Sequence, residues 1–357
     1  MRVVAAMSGG VDSSVTAALL LEQGYEVIGV HMKLHDTPER GIDDEPTKSC
    51  CGLDDVLDCR RVADRLGIPF YVMDLRQAFQ KAVMDDFVKN YTKGWTPNPC
   101  IQCNGVLKFK VLLQRARALG AEYLATGHYA QITEDNILKM AVDKKKDQSY
   151  FLFPITSEAL TRTLFPLGGM SKAEVREHAA RLGLVTASKP ESQDICFLPE
   201  GNHGAFIRQA SPELRGAGEI VDISGKVLGY HEGYFNYTIG QRRGLGVAAG
   251  KPVYVVDIDP ATKRVVLGDD EELQKTGLVA RNVNWFRQPK EGEKLLARIR
   301  HRGHLIPCEI SGTEPLTVKF KQYARAIAPG QAVVIYGDSA SEEKEVICGG
   351  WIQRRLD

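Results

Sequence analysis

The sequence predicts an α/β fold: a parallel sheet in the N-terminal part, followed by two smaller β-rich domains. Three observations predict it. Up to about residue 126, short apolar runs typical of strands alternate with helix-periodic runs, beginning with residues 3–7 and 11–19. Glycines at Gly24 and Gly67 end the first two helical runs. From about Gly216, short β-branched runs recur between Gly, Pro, Asp and Asn, which is typical of small all-β domains.

The length of 357 residues allows two or three domains, and we place them at 1–205, 206–280 and 281–357. Hydrophobic residues make up 43% and charged residues 25%, as in ordinary globular proteins. No apolar run reaches membrane-spanning length, and the first strand begins too early for a signal peptide. We therefore expect a cytoplasmic protein without a membrane partner, whose eight cysteines are mostly reduced.

The individual elements follow from periodicity and from breaker residues. After the first strand and helix, predicted strands span residues 25–32, 69–73 and 123–126, and a breaker-rich loop spans 33–53. Predicted helices span 54–66, 77–91, 104–119, 157–164 and 171–182. Ser157 is the expected cap of the 157–164 helix, and Ser171 forms a capping box with Glu174 in the 171–182 helix. Predicted C-terminal strands span 253–258, 264–267, 294–299, 316–320 and 332–336.

The loop after the first strand, Ser8-Gly9-Gly10-Val11-Asp12-Ser13-Ser14, is the most informative motif. Its glycines permit tight turns, and the amides that open the next helix favour an anion. It lacks the Gly-Lys-Ser/Thr ending of a Walker A loop. It resembles the pyrophosphate-binding loop of the ATP-pyrophosphatase (PP-loop) superfamily, which implies a Rossmann-like domain that splits ATP into AMP and pyrophosphate. Asp12 is our candidate ligand for a Mg²⁺ ion that bridges phosphates.

Cysteines in polar surroundings form the second signal. Cys100 and Cys103 precede a predicted helix, whose N-terminal dipole would stabilise a thiolate, and Cys196 lies in an irregular segment. One nucleotide site together with several such thiols indicates sulfur chemistry on an activated substrate. Cys308 and Cys348 lie in β-patterned runs and are expected in the core.

Further motifs make the chain resemble, nearly end to end, the bacterial tRNA-specific 2-thiouridylases (tRNA-uridine 2-sulfurtransferases). Besides the glycine loop, they are TPNPCIQCN at 96–104, ATGHY at 125–129, KDQSYFL at 146–152, ICF at 195–197, TIGQRRGLG at 238–246 and GGWIQRR at 349–355. The resemblance implies ATP-dependent thiolation of the wobble uridine of tRNA to 2-thiouridine. The uracil carbonyl oxygen would be adenylated, and a cysteine persulfide would then deliver sulfur with release of AMP. A cysteine desulfurase or sulfur relay protein would be the sulfur donor.

The resemblance also implies residue roles. Cys103 would be the nucleophile and Cys196 the persulfide carrier, the two forming a transient disulfide. The ATP-contacting positions would be Ala6, Met7, Ser8, Gly9, Gly10, Val11, Asp12, Ser13, Met32 and Gly127. The flipped-out uridine would meet Asn98, Pro99 and Cys100. The remaining tRNA contacts would be His128, Lys146, Asp147, Gln148, Arg300, His301 and Arg354.

Cys100 departs from the family pattern, which commonly has Asp there. The resulting Cys-x-x-Cys, together with Cys196, offers three thiolates, so a variant mechanism that depends on an iron–sulfur cluster held by Cys100, Cys103 and Cys196 is a second hypothesis. Cys50, Cys51 and Cys59 lack a recognisable zinc spacing; they are incidental or form an additional metal site.

Two other classes of protein share part of this pattern. An amide-forming ATP-pyrophosphatase would use the loop but would have no use for Cys103 and Cys196. A tRNA-binding protein with a degenerate nucleotide site would not need the intact loop. Residues 281–357 carry 13 Lys and Arg against 9 Asp and Glu, a local net charge of +4 that is a weak indication of phosphate-backbone binding.

Overall fold

The computed structural model describes residues 1–36, 52–190, 195–198, 202–214, 218–339 and 341–357. They form two compact units. The first comprises Met1–Val83, Cys100–Gly201 and Ser339–Val346, and the second comprises Met84–Pro99, Asn202–Asp338 and Ile347–Asp357. The domain boundaries expected from the sequence, after residues 205 and 280, stay predictions.

A five-stranded parallel sheet organises the first unit, in the order β3-β2-β1-β4-β7. A separate antiparallel hairpin, β5-β6, belongs to the same unit. The strands are β1 (Arg2–Ala6), β2 (Glu26–Lys33), β3 (Phe70–Asp74), β4 (Tyr123–Ala125), β5 (Ala130–Ile132), β6 (Leu138–Met140) and β7 (Thr163–Leu164). The predicted parallel sheet is confirmed.

The helices fall between these strands or follow them. They are α1 (Val11–Glu22), α2 (Leu53–Leu66), α3 (Arg76–Phe79), α4 (Asp85–Thr92), α5 (Pro99–Gln102), α6 (Leu113–Ala118), α7 (Ser157–Leu160), α8 (Lys172–Arg181) and α9 (His203–Ala210). Two π-helical runs, Gln80–Met84 and Cys103–Leu112, make α3–α4 and α5–α6 continuous helices. Short 3₁₀ turns occupy Ser149–Leu152, Pro212–Leu214, Tyr234–Asn236 and Glu271–Leu273. Within the described ranges, no helix is both long and apolar enough to cross a membrane.

The core of the first unit explains why most residues of α1 are buried. Val15 and Leu20 of α1 share one buried cluster with Val3 of β1 and Val175 of α8. α1 therefore contacts the sheet and α8 at once, and burial of both of its faces holds the start of this helix firmly in place.

The strand order also positions a binding crevice. From β1 the chain adds β2 and then β3 on one side, whereas β4 pairs with β1 on the other side. Right-handed crossovers then place helices on both faces of the sheet. In such sheets the crevice lies at the carboxyl ends of the two strands where the direction reverses, here β1 and β4.

The second unit contains two β structures. A four-stranded sheet in the order β10-β11-β8-β9 is followed by a closed barrel in the order β12-β15-β14-β13-β16-β17. The strands are β8 (Gly218–Asp222), β9 (Val227–His231), β10 (Tyr254–Asp259), β11 (Arg264–Gly268), β12 (Gln274–Trp285), β13 (Leu295–Arg298), β14 (Ile306–Ser311), β15 (Leu316–Arg325), β16 (Ala332–Gly337) and β17 (Val346–Leu356). The β-rich central domain and the C-terminal barrel that we expected are confirmed.

Two predicted helices differ from the observed ones. The helix predicted over 157–164 ends at Leu160, because Thr163 and Leu164 instead pair with β4 as the edge strand β7. Its N-cap is Thr156, whose side chain accepts a hydrogen bond from the Ala159 amide, and not Ser157. The helix predicted from residue 104 begins at Pro99, since proline suits the first position of a helix.

Candidate active site

The loop after β1 is built around Gly9. Its φ of +76° favours glycine, and a Cβ at this position would lie 2.8 Å from the carbonyl oxygen of Asp55 at the start of α2. The backbone of α2 thus leaves no space for a side chain, and two independent constraints require glycine. The chain then enters α1 through Gly10, whose extended backbone forms the N-cap.

The loop serines bond to the loop itself. The Ser13 hydroxyl donates to the Gly10 carbonyl oxygen at 3.1 Å and accepts from the Ser8 amide at 3.1 Å. The Ser14 hydroxyl donates to the same carbonyl oxygen at 2.9 Å. Among the described residues, no side chain hydrogen-bonds from the N-cap to the first turn of α1. The amides of that turn form the anion-favouring end of the helix dipole.

The turn after β4 closes against this loop. A Cβ at Gly127 would lie 2.9 Å from the Asp12 carbonyl carbon and 2.9 Å from the Ser13 amide nitrogen. Gly127 therefore packs directly against the backbone of the first turn of α1. The structure brings the predicted ATP positions 6–13 and 127 together at the carboxyl ends of β1 and β4. Met32 lies near the carboxyl end of β2, paired in register with Met73.

Asp12 has two partners that sequence reasoning missed. The Lys172 ammonium lies 2.7 Å and 2.9 Å from its two carboxylate oxygens, and the Tyr129 hydroxyl donates to one of them at 2.8 Å. Lys172 is the first residue of α8, and its side chain is only 12% exposed. The capping box at Ser171 marked the start of this helix, but nothing in the sequence indicated its approach to a loop 160 residues earlier.

The pair Cys100 and Cys103 lies on the continuous helix that starts at Pro99. Cys100 is exposed in the first turn, whereas Cys103 is 9% exposed and one turn further in. Cys103 was expected just before the helix, but the helix begins at Pro99 and includes it. It opens the π-helical run, next to Asn104, whose side-chain amide donates to the Phe151 carbonyl oxygen at 3.1 Å.

Cys196 lies in a tight turn. The Leu198 amide donates to the Ile195 carbonyl oxygen at 3.1 Å, and Cys196 is half-buried between them. The next residue, Phe197, is buried and meets Phe79 edge to face, with ring centroids 5.6 Å apart. The turn thus leaves Cys196 half-buried, while its neighbours anchor it in the first unit.

The other described cysteines are buried. Burial raises the pKa of Cys59 to about 12 and that of Cys308 to about 12, and it raises the pKa of Cys348 further. Cys308 and Cys348 belong to the barrel core, as predicted. Cys50 and Cys51 lie outside the described residues. Within the described part of the chain, no three His, Cys, Asp or Glu side chains are grouped so that they could hold a metal ion, and Cys100, Cys103 and Cys196 are accordingly not gathered into a cluster site.

His128 is held between two side chains. Its Nδ1 lies 2.7 Å from the Thr126 hydroxyl, and its Nε2 lies 3.3 Å from the Lys108 ammonium. Burial, and secondarily the charge of Lys108, hold the pKa of His128 well below its ordinary value. The imidazole is therefore neutral near pH 7. Because an ammonium can only donate, Nε2 accepts from Lys108 and Nδ1 carries the proton.

The motif at 146–148 is largely internal. Asp147 is 2% exposed, and its carboxylate accepts from the Ala141 amide at 3.1 Å and the Ser149 hydroxyl at 3.1 Å. The Gln148 side-chain oxygen accepts from the Tyr129 amide at 3.0 Å. Asp147 therefore shapes this turn, and the tRNA contact expected at Lys146 stays a prediction.

Other expected substrate contacts lie in the second unit. The segment before Asn98 and Pro99 is fixed there: the Thr96 amide donates to the Pro329 carbonyl oxygen at 2.8 Å, and Gln331 donates to the Thr96 carbonyl oxygen at 2.9 Å. In the barrel, the exposed Arg300 donates to the Arg325 carbonyl oxygen at 2.6 Å. His301 follows it, and Arg354 is exposed on β17, opposite Val279.

Comparison with known families agrees with this architecture. Three family domains match in sequence: the tRNA methyl transferase HUP domain over residues 1–200, the tRNA methyl transferase PRC-barrel domain over 204–269, and the aminomethyltransferase beta-barrel domain over 275–352. A HUP-type nucleotide-binding sheet followed by two β domains therefore defines the class of protein.

Curated relatives narrow this class. The tRNA-specific 2-thiouridylase MnmA of Geobacter metallireducens is 49% identical over 99% of this chain and 97% of its own length. That of Carboxydothermus hydrogenoformans is 49% identical over 99% and 98%. The chain belongs to the tRNA-specific 2-thiouridylase family, so the resemblance and the predicted enzyme class are confirmed. A solved 4-thiouridine synthetase–RNA complex with bound ATP is 20% identical over 59% of this chain and 50% of its own, with a TM-score of 0.38, too low to bear on function.

Proposed function

We propose that the protein is an ATP-dependent tRNA-uridine 2-sulfurtransferase that converts the wobble uridine of tRNA to 2-thiouridine. One observation carries the proposal: the anion-favouring loop shares a compact unit with Cys103 and with the half-buried Cys196. The relatives' names, which specify tRNA and 2-thiouridine, support the same reaction.

The first half-reaction activates the base. The uracil O2 attacks the α-phosphorus of ATP, the bond to the bridging oxygen breaks, and pyrophosphate leaves with that electron pair. The α1 amides and the Lys172 ammonium would stabilise the negative charge that builds up on the phosphates. Asp12 would hold Mg²⁺, which suits carboxylate and phosphate oxygens, in exchange for its present contact with Lys172.

The second half-reaction delivers sulfur. A cysteine desulfurase or a sulfur relay protein would leave a persulfide on Cys196. The Cys103 thiolate attacks the Cys196 sulfur, a Cys103–Cys196 disulfide forms, and hydrosulfide departs. Hydrosulfide then attacks C2 of the adenylated base, and AMP leaves with the C–O electron pair. A thiol reductant restores both cysteines.

Two alternatives are less well supported. The cluster hypothesis needs Cys100, Cys103 and Cys196 together, and these described residues do not form a group that could hold a metal ion. Methyl transfer, which the family descriptions mention, needs neither ATP cleavage nor two reactive thiols. The sulfurtransferase reaction accounts for both features of the site.

One assay tests the proposal. The protein is incubated with unmodified tRNA, ATP, Mg²⁺ and a persulfide donor. The tRNA is then digested to nucleosides for analysis, and the released AMP and pyrophosphate are quantified. We expect 2-thiouridine at the wobble position with one AMP released per thiolation. AMP formation that does not depend on tRNA would indicate an amide-forming pyrophosphatase. Bound tRNA without nucleotide turnover would indicate a binding protein, and either result would overturn the proposal.

A further inference from the structure

The second unit holds a buried histidine, His231, at the end of β9, where it is only 6% exposed. Its Nε2 lies 3.0 Å from the Lys263 carbonyl oxygen, so Nε2 carries the proton of this hydrogen bond. Burial lowers the pKa of His231, so the ring is neutral near pH 7 and Nδ1 keeps its lone pair. Among the described residues, nothing donates to the buried Nδ1.

Tight packing fixes the orientation of this ring. A Cβ at Gly218 of β8 would lie 2.5 Å from Cε1 of His231, so glycine lets the ring approach the backbone. The Tyr237 ring also packs against it, with ring centroids 5.4 Å apart. Because a buried acceptor without a donor costs free energy, a fixed Nδ1 of this kind indicates a ligand donor or an ordered water.

His231 lines a cavity of about 470 Å³. This volume falls within the roughly 300–1,000 Å³ of small-ligand sites and exceeds what one water needs. Tyr230, which is 73% exposed, also lines the cavity. The remaining lining residues are Glu232, Asn236, Tyr237 and Gly244. Aromatic side chains beside a hydrogen-bond acceptor suit a nucleobase, which stacks on its flat faces and donates from N–H groups at its edge.

Two arginines of the TIGQRRGLG motif at 238–246, which neither half-reaction uses, lie next to this cavity. Gly244 also lines a second cavity, and Arg242 is among the residues around it. Arg242 and Arg243 are both exposed, and neither has an ion-pair partner within the described part of the chain. Gln241 braces them, since its side-chain oxygen accepts from the Thr238 amide at 3.1 Å and its nitrogen donates to the Arg243 carbonyl oxygen at 3.0 Å. Guanidinium groups on a braced loop suit a phosphate.

We propose that this cavity binds an unpaired nucleotide of tRNA, whose base donates an N–H to Nδ1 of His231 while Arg242 and Arg243 contact its phosphate. The inference rests on the proposed function only in taking tRNA as the substrate. The site holds tRNA and touches no reacting atom, so its loss should weaken binding and leave the rate at saturating tRNA unchanged.

Two variants of His231 separate binding from structure. His231→Gln keeps an N–H near the position of Nε2, and with it the bond to Lys263, but it removes the Nδ1 acceptor. His231→Asn keeps an acceptor near the position of Nδ1 and loses the bond to Lys263. Arg242→Met removes one cation of the site, and the matched control Lys226→Met removes an exposed cation that lines neither cavity.

The affinity of the full chain for unmodified tRNA is measured by filter binding over a salt series. We expect His231→Gln to weaken binding about threefold to tenfold with an unchanged unfolding midpoint, and His231→Asn to bind more tightly than His231→Gln although it unfolds more easily. Arg242→Met should lower the slope of log affinity against log salt by about one, and Lys226→Met should match the parent.

A spectroscopic signature completes the test. In protein labelled with ¹⁵N-histidine, the Nδ1 resonance that is absent from His231→Gln should shift when tRNA is added, as a new hydrogen bond to that nitrogen requires. Parental affinity in His231→Gln, or a resonance that tRNA leaves in place, would overturn the inference and assign Nδ1 to water. A shift caused by AMP or UMP but not by tRNA would also overturn it. If tRNA shifts the resonance but the parent makes no 2-thiouridine, the proposed function fails and the inference stands.

Discussion

The barrel places both of its cysteines in its core, whereas the parallel-sheet unit has a core cysteine, Cys59, and also Cys100, Cys103 and Cys196 at a helix start and in a turn. Cys308 and Cys348 lie among aliphatic side chains in the barrel core, where burial disfavours the thiolate and raises both pKa values. Cys196 lies half-buried in a turn, and Cys103 lies one turn inside a helix. The difference teaches that surroundings, and not the residue type, separate structural thiols from candidate reactive ones.

The largest expected effect comes from removing either candidate thiol. Cys103→Ser and Cys196→Ser should each lower thiolation with the protein sulfur donor by about a thousandfold or more, because a serine hydroxyl neither carries nor releases sulfane sulfur. Affinity for tRNA should stay within about twofold, since binding does not use the thiols. Quantified 2-thiouridine and filter binding provide the two measurements.

Cys308→Ala is the matched control and should turn over at the parental rate. If Cys196→Ser retained full turnover, the contrast between the two groups of cysteines would have no functional meaning.

A smaller effect is expected at the loop. Gly9→Ala should lower the free energy of unfolding by about 3 kcal/mol, because it combines a left-handed backbone with a clash against Asp55, and ATP binding should weaken with it. Gly67→Ala has a similar φ of +68° and no atom within 4 Å of the added Cβ, so it reports backbone strain alone. Equal losses in urea unfolding for the two variants would argue against the close approach of α2 to the loop.

Next comes Lys172. Lys172→Met should slow pyrophosphate release about a hundredfold, because it removes one positive charge from beside the leaving phosphates. Lys145→Met, at an exposed lysine, should have no effect. The measurement is single-turnover pyrophosphate release at saturating tRNA, and a Lys172→Met rate within twofold of the parent would exclude Lys172 from the phosphate site.

The smallest effect is a pH dependence of stability. Because the pKa of Cys308 is raised to about 12, its thiol stays protonated in the folded chain while the unfolded chain releases the proton. The resulting stability is complete below the ordinary thiol pKa and is lost as pH rises towards 12, at about 1.4 kcal/mol per pH unit. Urea unfolding between pH 8 and 10 should show a steeper loss for the parent than for Cys308→Ala. Identical slopes would mean that Cys308 is solvated.

Features of the fold that depend on a local residue pattern could be predicted from the sequence. The glycine loop, the first parallel strands and the capping box at Ser171 follow from periodicity and from turn residues close in the chain. The β-rich C-terminal half was also predictable, although several of its strands, such as β12 and β17, were not. Their short alternating stretches are interrupted by register shifts, which weaken the periodic signal.

Contacts between distant segments could not be predicted. Lys172 reaches Asp12 across 160 residues, and Lys189 reaches Asp55 across 134. A lysine on a helix or in a turn carries no local signal of its partner, so only the packing of α8 and α2 reveals these pairs. The burial of Asp147 was not foreseen either, although its partners Ala141 and Ser149 are close in the chain, because hydrogen bonds within a turn leave no periodic pattern.

The most direct test is to map sulfane sulfur in the intact protein after loading by a cysteine desulfurase, using peptide mass spectrometry. We predict a persulfide on Cys196, none on Cys59, Cys308 or Cys348, and a Cys103–Cys196 disulfide that appears only after ATP and unmodified tRNA are added. A persulfide on one of the core cysteines, or turnover that leaves Cys103 and Cys196 as unchanged thiols throughout, would contradict the account.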